Sequence, residues 1–234
     1  MMEQSDDTRS TAGKPPPLRG AARLRGFGPL GLLAMAVIPF AGTAAISAIL
    51  VLIWARVTRT PLREIGFVAP QSWPRAVVVG VLFGVVFKVV MKALVMPLFG
   101  AAPVNAAYHY LAGNAPAAAF MAVFVIVSGG FGEETLYRGF LFERFCRLFG
   151  LRAGLPAKPL ALLLTTIWFA AAHYPDQGLA GAEQAAVTGL VFGTIFLMTG
   201  SLFIAMVVHA VFDLTAIAMI YWDLETRFAH LIFK

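Results

Sequence analysis

Apolar and polar positions along this chain fall into long blocks. Apolar runs cover Leu30 to Trp54, Ala76 to Phe99, Ala117 to Val127, Leu160 to Ala172, Ala185 to Met198 and Leu202 to Tyr221. A helix needs about 20 predominantly apolar residues to cross the hydrocarbon core of a bilayer, so the longer runs predict transmembrane helices and the shorter ones predict compact spans. The expected fold is all-α, a polytopic transmembrane helical bundle of about 6–8 segments with its polar chemistry inside the bilayer. Gly80 with Gly84, and Gly189 with Gly193, have the spacing that lets membrane helices approach closely.

The polar blocks between the runs carry the topology. Arg56, Arg59, Arg63 and Arg75 fill the first loop, whereas Gly100 to Pro116 contains no Lys, Arg, Asp or Glu. The positive-inside rule makes the first loop cytoplasmic and the second external. Glu143, Arg144, Arg147, Arg152 and Lys158 mark the next cytoplasmic side. Strict alternation then puts Tyr174 to Glu183 outside and Thr199-Gly200-Ser201 in a tight cytoplasmic turn. One conflict remains. The N-terminal segment, with Arg19, Arg23 and Arg25, is as basic as the first loop, although a single span between them would separate the two. Either the rule fails there or the segment breaks between Pro39 and Gly42.

Composition agrees with a membrane protein. The 234 residues are 59% hydrophobic and 13% charged, with a mean hydropathy of +0.80, whereas soluble domains are about 25% charged. The net charge of +6 does not indicate nucleic-acid binding, because the Lys and Arg lie mostly outside the apolar runs and read as topology markers. Residues 1–26, with Pro15-Pro16-Pro17, are expected to be a disordered basic tail. Residues 27–234 are expected to form a single transmembrane domain whose first apolar run is retained, being too long for a signal-peptide core. The single cysteine, Cys146, cannot form an intramolecular disulfide and reads as a structural thiol.

Three polar motifs interrupt the apolar sequence: Glu133-Glu134-Thr135-Leu136-Tyr137-Arg138, Phe169-Ala170-Ala171-Ala172-His173, and His209-Ala210-Val211-Phe212-Asp213. Ionisable groups inside a membrane are costly, and each implies a functional partner. At about 1.5 Å per helical residue, Glu133, His173 and His209 lie roughly 25, 20 and 12 Å from the cytoplasmic boundary, so they can meet within the core. Peptide hydrolysis needs an activated water, a base and a group that holds the developing oxyanion. Glu133 is the candidate base, since an apolar setting makes a carboxylate a better proton acceptor. Glu134 and Arg138, at i and i+4, can pair and leave Glu133 on another face. His173 would bind or polarise the water. His209 and Asp213 would supply a ligand with its partner, or a clamp on the substrate carbonyl.

Glu133, His173 and His209 also make an acceptable Zn²⁺ set with one open position, so metal and metal-free schemes both remain open. Each motif taken singly also has a structural reading: an ion pair for Glu134 and Arg138, a satisfied core histidine for His173, and a helix-stabilising pair for His209 and Asp213. Phe169 is expected only to pack. Lys88 and Lys92 carry no motif and are expected to snorkel or pair. Gly129, Gly130 and Gly132 would relax the helix for an extended substrate or allow close packing. No His-Glu-x-x-His or Gly-x-Gly-Asp sequence is present, and Ser201 with His209 is a weak serine-protease signal.

The ordered set Glu-Glu-x-x-x-Arg, Phe-x-x-x-His and His-x-x-x-Asp on successive hydrophobic segments resembles the CPBP family, the CAAX proteases and bacteriocin-processing enzymes also called the Abi family. The resemblance covers about Ser128 to Ala218 and suggests a catalytic part at about 117–222. It implies an intramembrane endopeptidase in which Glu133, Glu134, Arg138, His173, His209 and Asp213 occupy the motif positions; the ligand set Glu133, His173 and His209 makes Zn²⁺ the expected cofactor. Asp213 departs from the family's frequent Asn, which suits a metal or a histidine partner better than an oxyanion donor. The implied partners are membrane lipids and a peptide or protein substrate, lipidated or not, cleaved on the cytoplasmic side of a bacterial inner membrane. A non-catalytic immunity or scaffolding protein that keeps the same pocket is the alternative from another class, and a transporter is disfavoured because no inverted repeat is evident.

Overall fold

A computed structural model describes residues 19–150 and 156–233. Pro15-Pro16-Pro17 and Arg152 lie outside the described residues. Among the described residues all regular structure is helical.

The first apolar run breaks. Helix α1 (Arg19–Arg25) leads into α2 (Pro29–Phe40) and then α3 (Ala44–Val57). Between α2 and α3, Gly42 adopts φ +114°, a conformation that glycine reaches without steric cost. Thr43 then caps α3 by accepting a hydrogen bond from the Ile46 N–H at 3.4 Å. Each arm is roughly 20 Å long or less, too short to cross a core of about 30 Å. The two arms therefore return the chain to the face where it entered. Arg144 donates to the carbonyls of Arg25 at 2.7 Å and Gly26 at 3.0 Å, groups that helix α1 leaves unpaired at its end. Arg25 also pairs with Glu64 in the first loop, and Trp54 Nε1 donates to the Leu24 carbonyl at 3.3 Å. The break between Pro39 and Gly42 thus resolves the charge conflict. Arg25 and Gly26, which fall within the expected tail, are held against the bundle by Arg144, whose guanidinium also lies over Phe27.

Four of the remaining helices are long and apolar enough to cross a membrane. They are α4 (Trp73–Leu98), α5 (Ala115–Gly150), α6 (Ala157–Thr199) and α7 (Leu202–Tyr221), followed by the short α8 (Glu225–Ala229). The α6 segment reverses at Gly178, with φ 65° and ψ −162°. A Cβ on Gly189 would fall 2.9 Å from Thr166 Cγ2, and one on Gly193 would fall 2.3 Å from Leu162 Cδ1. Partner numbers that rise on one arm as they fall on the other define an antiparallel pair. With α6 counted as two, the described residues offer five candidate crossings. Gly80 and Gly84 serve α4 in the same way: a Cβ on Gly84 would lie 2.8 Å from the Val208 carbonyl oxygen of α7. Large apolar side chains such as Leu82, Val86 and Phe120 face outward, as lipid contact requires.

The loops sort into two ends. At the basic end, Leu202 N–H donates to the Gly66 carbonyl at 2.8 Å and Ser201 Oγ to the Val68 carbonyl at 2.6 Å. At the opposite end, Gly113 N–H donates to the Tyr221 carbonyl at 3.0 Å and Gln177 Nε2 to the Tyr108 hydroxyl at 3.2 Å. This matches the alternation read from charge. Single cysteines replacing Arg23 and Arg59 in a Cys146→Ser background should both react with a membrane-impermeant maleimide only from the cytoplasmic face. Labelling of the two from opposite faces would refute the hairpin.

Candidate active site

The first motif lies in an unusual helix. Val125–Leu141, the middle of α5, is π-helical, a form that is rare and usually confined to single turns near functional sites. A π-helix has more residues per turn than an α-helix, so adjacent side chains diverge by about 80° rather than about 100°. Glu133 and Glu134 therefore both reach His209 on α7, where an α-helix was expected to separate them. Gly130 and Gly132 serve close packing: their Cβ atoms would fall 2.9 Å from Ala210 Cβ and 2.6 Å from the Ala44 backbone, respectively. Gly129 borders the site itself, since a Cβ there would sit 3.0 Å from Asp213 Oδ2.

Glu134 is fully buried. Its Oε1 accepts from Arg138 Nη1 at 2.8 Å and from His209 Nδ1 at 2.7 Å. A carboxylate only accepts, so the Nδ1 of His209 carries a proton and Nε2 faces the other way. Nε2 lies 3.6 Å from Glu133 Oε2 and 3.4 Å from Asp213 Oδ2. Arg138 is itself held between rings, 4.5 Å above Phe169 and 5.7 Å from Phe192, and its Nη2 donates to the Gly189 carbonyl at 3.4 Å. Phe169 thus packs as expected and also forms the platform under the guanidinium. His173 Nδ1 donates to the Phe169 carbonyl at 2.8 Å, which leaves Nε2 as the acceptor nitrogen in the neutral ring.

These residues meet at a cavity lined by Glu133, His173, His209 and Asp213. Its other polar walls come from Lys88 on α4, Gln184 on α6 and the loop residues Asn105 and Tyr108. Burial, with Asp213 as a second cause, raises the pKa of the Tyr108 phenol, which stays a neutral hydrogen-bond donor. The lining belongs to the middle of the bundle and the end away from the arginine cluster.

Residues 115–215 match the family model described as type II CAAX prenyl endopeptidase Rce1-like. Over this segment the chain carries a domain of CAAX-protease (CPBP) type. It is a multi-pass membrane protein of CAAX-protease type, a hydrolase acting on peptide or protein substrates in the membrane. No curated protein and no solved structure matches it. All three motifs of this CAAX protease fall inside the matched segment, with Asp213 just within its end.

The side chains do not form a zinc site as placed. Among the described residues no three His, Cys, Asp or Glu groups are arranged to hold a metal ion. His209 turns one nitrogen to Glu134 and the other toward Glu133 and Asp213.

Sequence reasoning missed the Glu134–His209 hydrogen bond and the polar wall around Lys88. Lys92 pairs with Glu225 at 2.8 Å, as one of the two expected alternatives. Lys88 neither snorkels nor pairs with a carboxylate; it is buried, 7% exposed, with its ammonium bonded to Gln184 Oε1 at 3.0 Å. Its placement in an apolar run was the available signal. Arg138→Met should destabilise the protein by roughly 3–5 kcal/mol by stranding the buried Glu134 carboxylate. Thermal unfolding in detergent checks this, and adding Glu134→Gln should recover part of the loss.

Proposed function

We propose that this CAAX protease hydrolyses peptide bonds with a glutamate-activated water at Glu133, His173, His209 and Asp213. The observation that carries the reading is His209 held by Glu134 with its Nε2 directed between Glu133 and Asp213. Water held between Glu133 and His173 Nε2 loses a proton to Glu133 as its oxygen attacks the scissile carbonyl carbon. The oxyanion that forms accepts a hydrogen bond from a protonated His209 Nε2. Asp213 is an acceptor only, so it cannot donate to the oxyanion; it orients the His209 ring and favours the proton on Nε2. Collapse of the tetrahedral intermediate breaks the C–N bond, and Glu133 returns its proton to the leaving nitrogen. The products are a carboxylic acid, which gives up its proton to the amine or to solvent, and an amine. Glu134 and Arg138 act one step back, by fixing the imidazole.

Glu133→Gln should lower kcat by on the order of 10²–10⁴ on any peptide the wild type cleaves from a membrane-delivered library. 1,10-Phenanthroline should leave wild-type activity intact. Inhibition by the chelator with recovery on added zinc would instead favour the Glu133, His173, His209 ligand set. Cleavage unchanged in both Glu133→Gln and His173→Ala would remove the protease site altogether and favour a binding protein.

A further inference from the structure

Lys88 is the buried ionised side chain in the cavity wall that the hydrolytic scheme does not use. It sits on α4, 7% exposed, with its ammonium 4.6 Å from the centroid of Phe212, the neighbour of Asp213. Its recorded hydrogen bond goes to a neutral amide oxygen, Gln184 Oε1, at 3.0 Å. An ammonium has three N–H donors, so this leaves two. Among the described residues no carboxylate lies within ion-pairing distance of it. Lys92, one turn on, shows the contrast: Glu225 neutralises it at 2.8 Å and also accepts from the Asn105 N–H.

Burying an unpaired ammonium within a membrane protein is costly, and such a group persists where an anion completes it. Lys88 lines both the catalytic cavity and a second cavity that adjoins it, together with Asn105, Gln177 and Gln184. The wall between the two is therefore polar, cationic and continuous with the space beside Glu133. Asp213 and Glu133 face the same catalytic cavity, but both are engaged with His209.

We propose that Lys88, with Gln184 beside it, is a carboxylate-binding subsite that anchors one end of the peptide while its scissile bond lies at Glu133. The inference rests on the hydrolytic reading of the cavity. Lys88 acts here as a specificity residue. Two sources of carboxylate fit: the substrate's C-terminus and an Asp or Glu side chain near the cleaved bond.

The test uses the full chain in detergent or liposomes and a peptide that it cleaves. The peptide is made with a free or amidated C-terminus and, separately, with internal Asp and Glu replaced by Asn and Gln. A buried charge-assisted hydrogen bond corresponds to roughly tenfold or more in kcat/KM, so wild type should prefer one carboxylate form by that factor, chiefly through KM. Preference for the free acid identifies the C-terminus, and preference for the acidic side chain identifies the other source. In Lys88→Met the ratio of acid to neutral form should fall to near one, and Lys88→Arg should restore part of it. Discrimination retained in a folded Lys88→Met, or absent from wild type in both peptide pairs, would overturn the proposal. If Glu133→Gln also leaves cleavage intact, the hydrolytic reading has failed; if Glu133→Gln abolishes cleavage, only the subsite has failed.

Discussion

One carboxylate oxygen joins the parts of this bundle that matter for chemistry. Glu134 Oε1 accepts from Arg138 on its own helix and from His209 on α7, and Arg138 continues the link to the Gly189 carbonyl on α6. A charge so deeply buried is tolerable only when paired and hydrogen-bonded. The pairing therefore dictates that α5, α6 and α7 meet at this level. Phe169 and Phe192 complete it by enclosing the guanidinium from α6. The histidine is held on one nitrogen so that the other can act.

The π-helical middle of α5 is what makes this compatible with a second glutamate. In an α-helix Glu133 would diverge further from its neighbour, whereas the wider turn brings both carboxylates to opposite nitrogens of one imidazole. The glycines around the motif fit the same constraint. Gly130 and Gly132 let α5 lie directly on α7 and α3, and Gly129 leaves room beside Asp213. Close packing and an open site are thus produced by neighbouring residues of one segment.

Much of this was legible in the sequence because membrane burial makes polar residues informative. The three motifs, the Glu134–Arg138 pair at i and i+4, and the alternation of basic and uncharged loops all follow from the cost of placing charge in lipid. The break in the first apolar run was visible only as a contradiction in charge, with Pro39 and Gly42 marking where it could be relieved. Other features were hidden because they depend on tertiary geometry. Periodicity assumes an α-helical turn, so it separated Glu133 from Glu134. Lys88 gains its meaning from Gln184, a residue 96 positions away. The part of the cavity wall made by Asn105 and Tyr108 depends on how their loop folds over the bundle, which hydropathy does not encode.

The central claim is that Glu134 fixes the His209 ring with its Nδ1 protonated, so that Nε2 is presented to Glu133 and Asp213. Nitrogen-15 NMR of histidine-labelled protein, with His209 assigned by substitution, reads this directly. The account predicts an Nδ1 that carries a bonded proton at neutral pH in the wild type, with that signal altered in Glu134→Gln. A His209 whose Nδ1 is bare while the proton resides on Nε2 alone would contradict it.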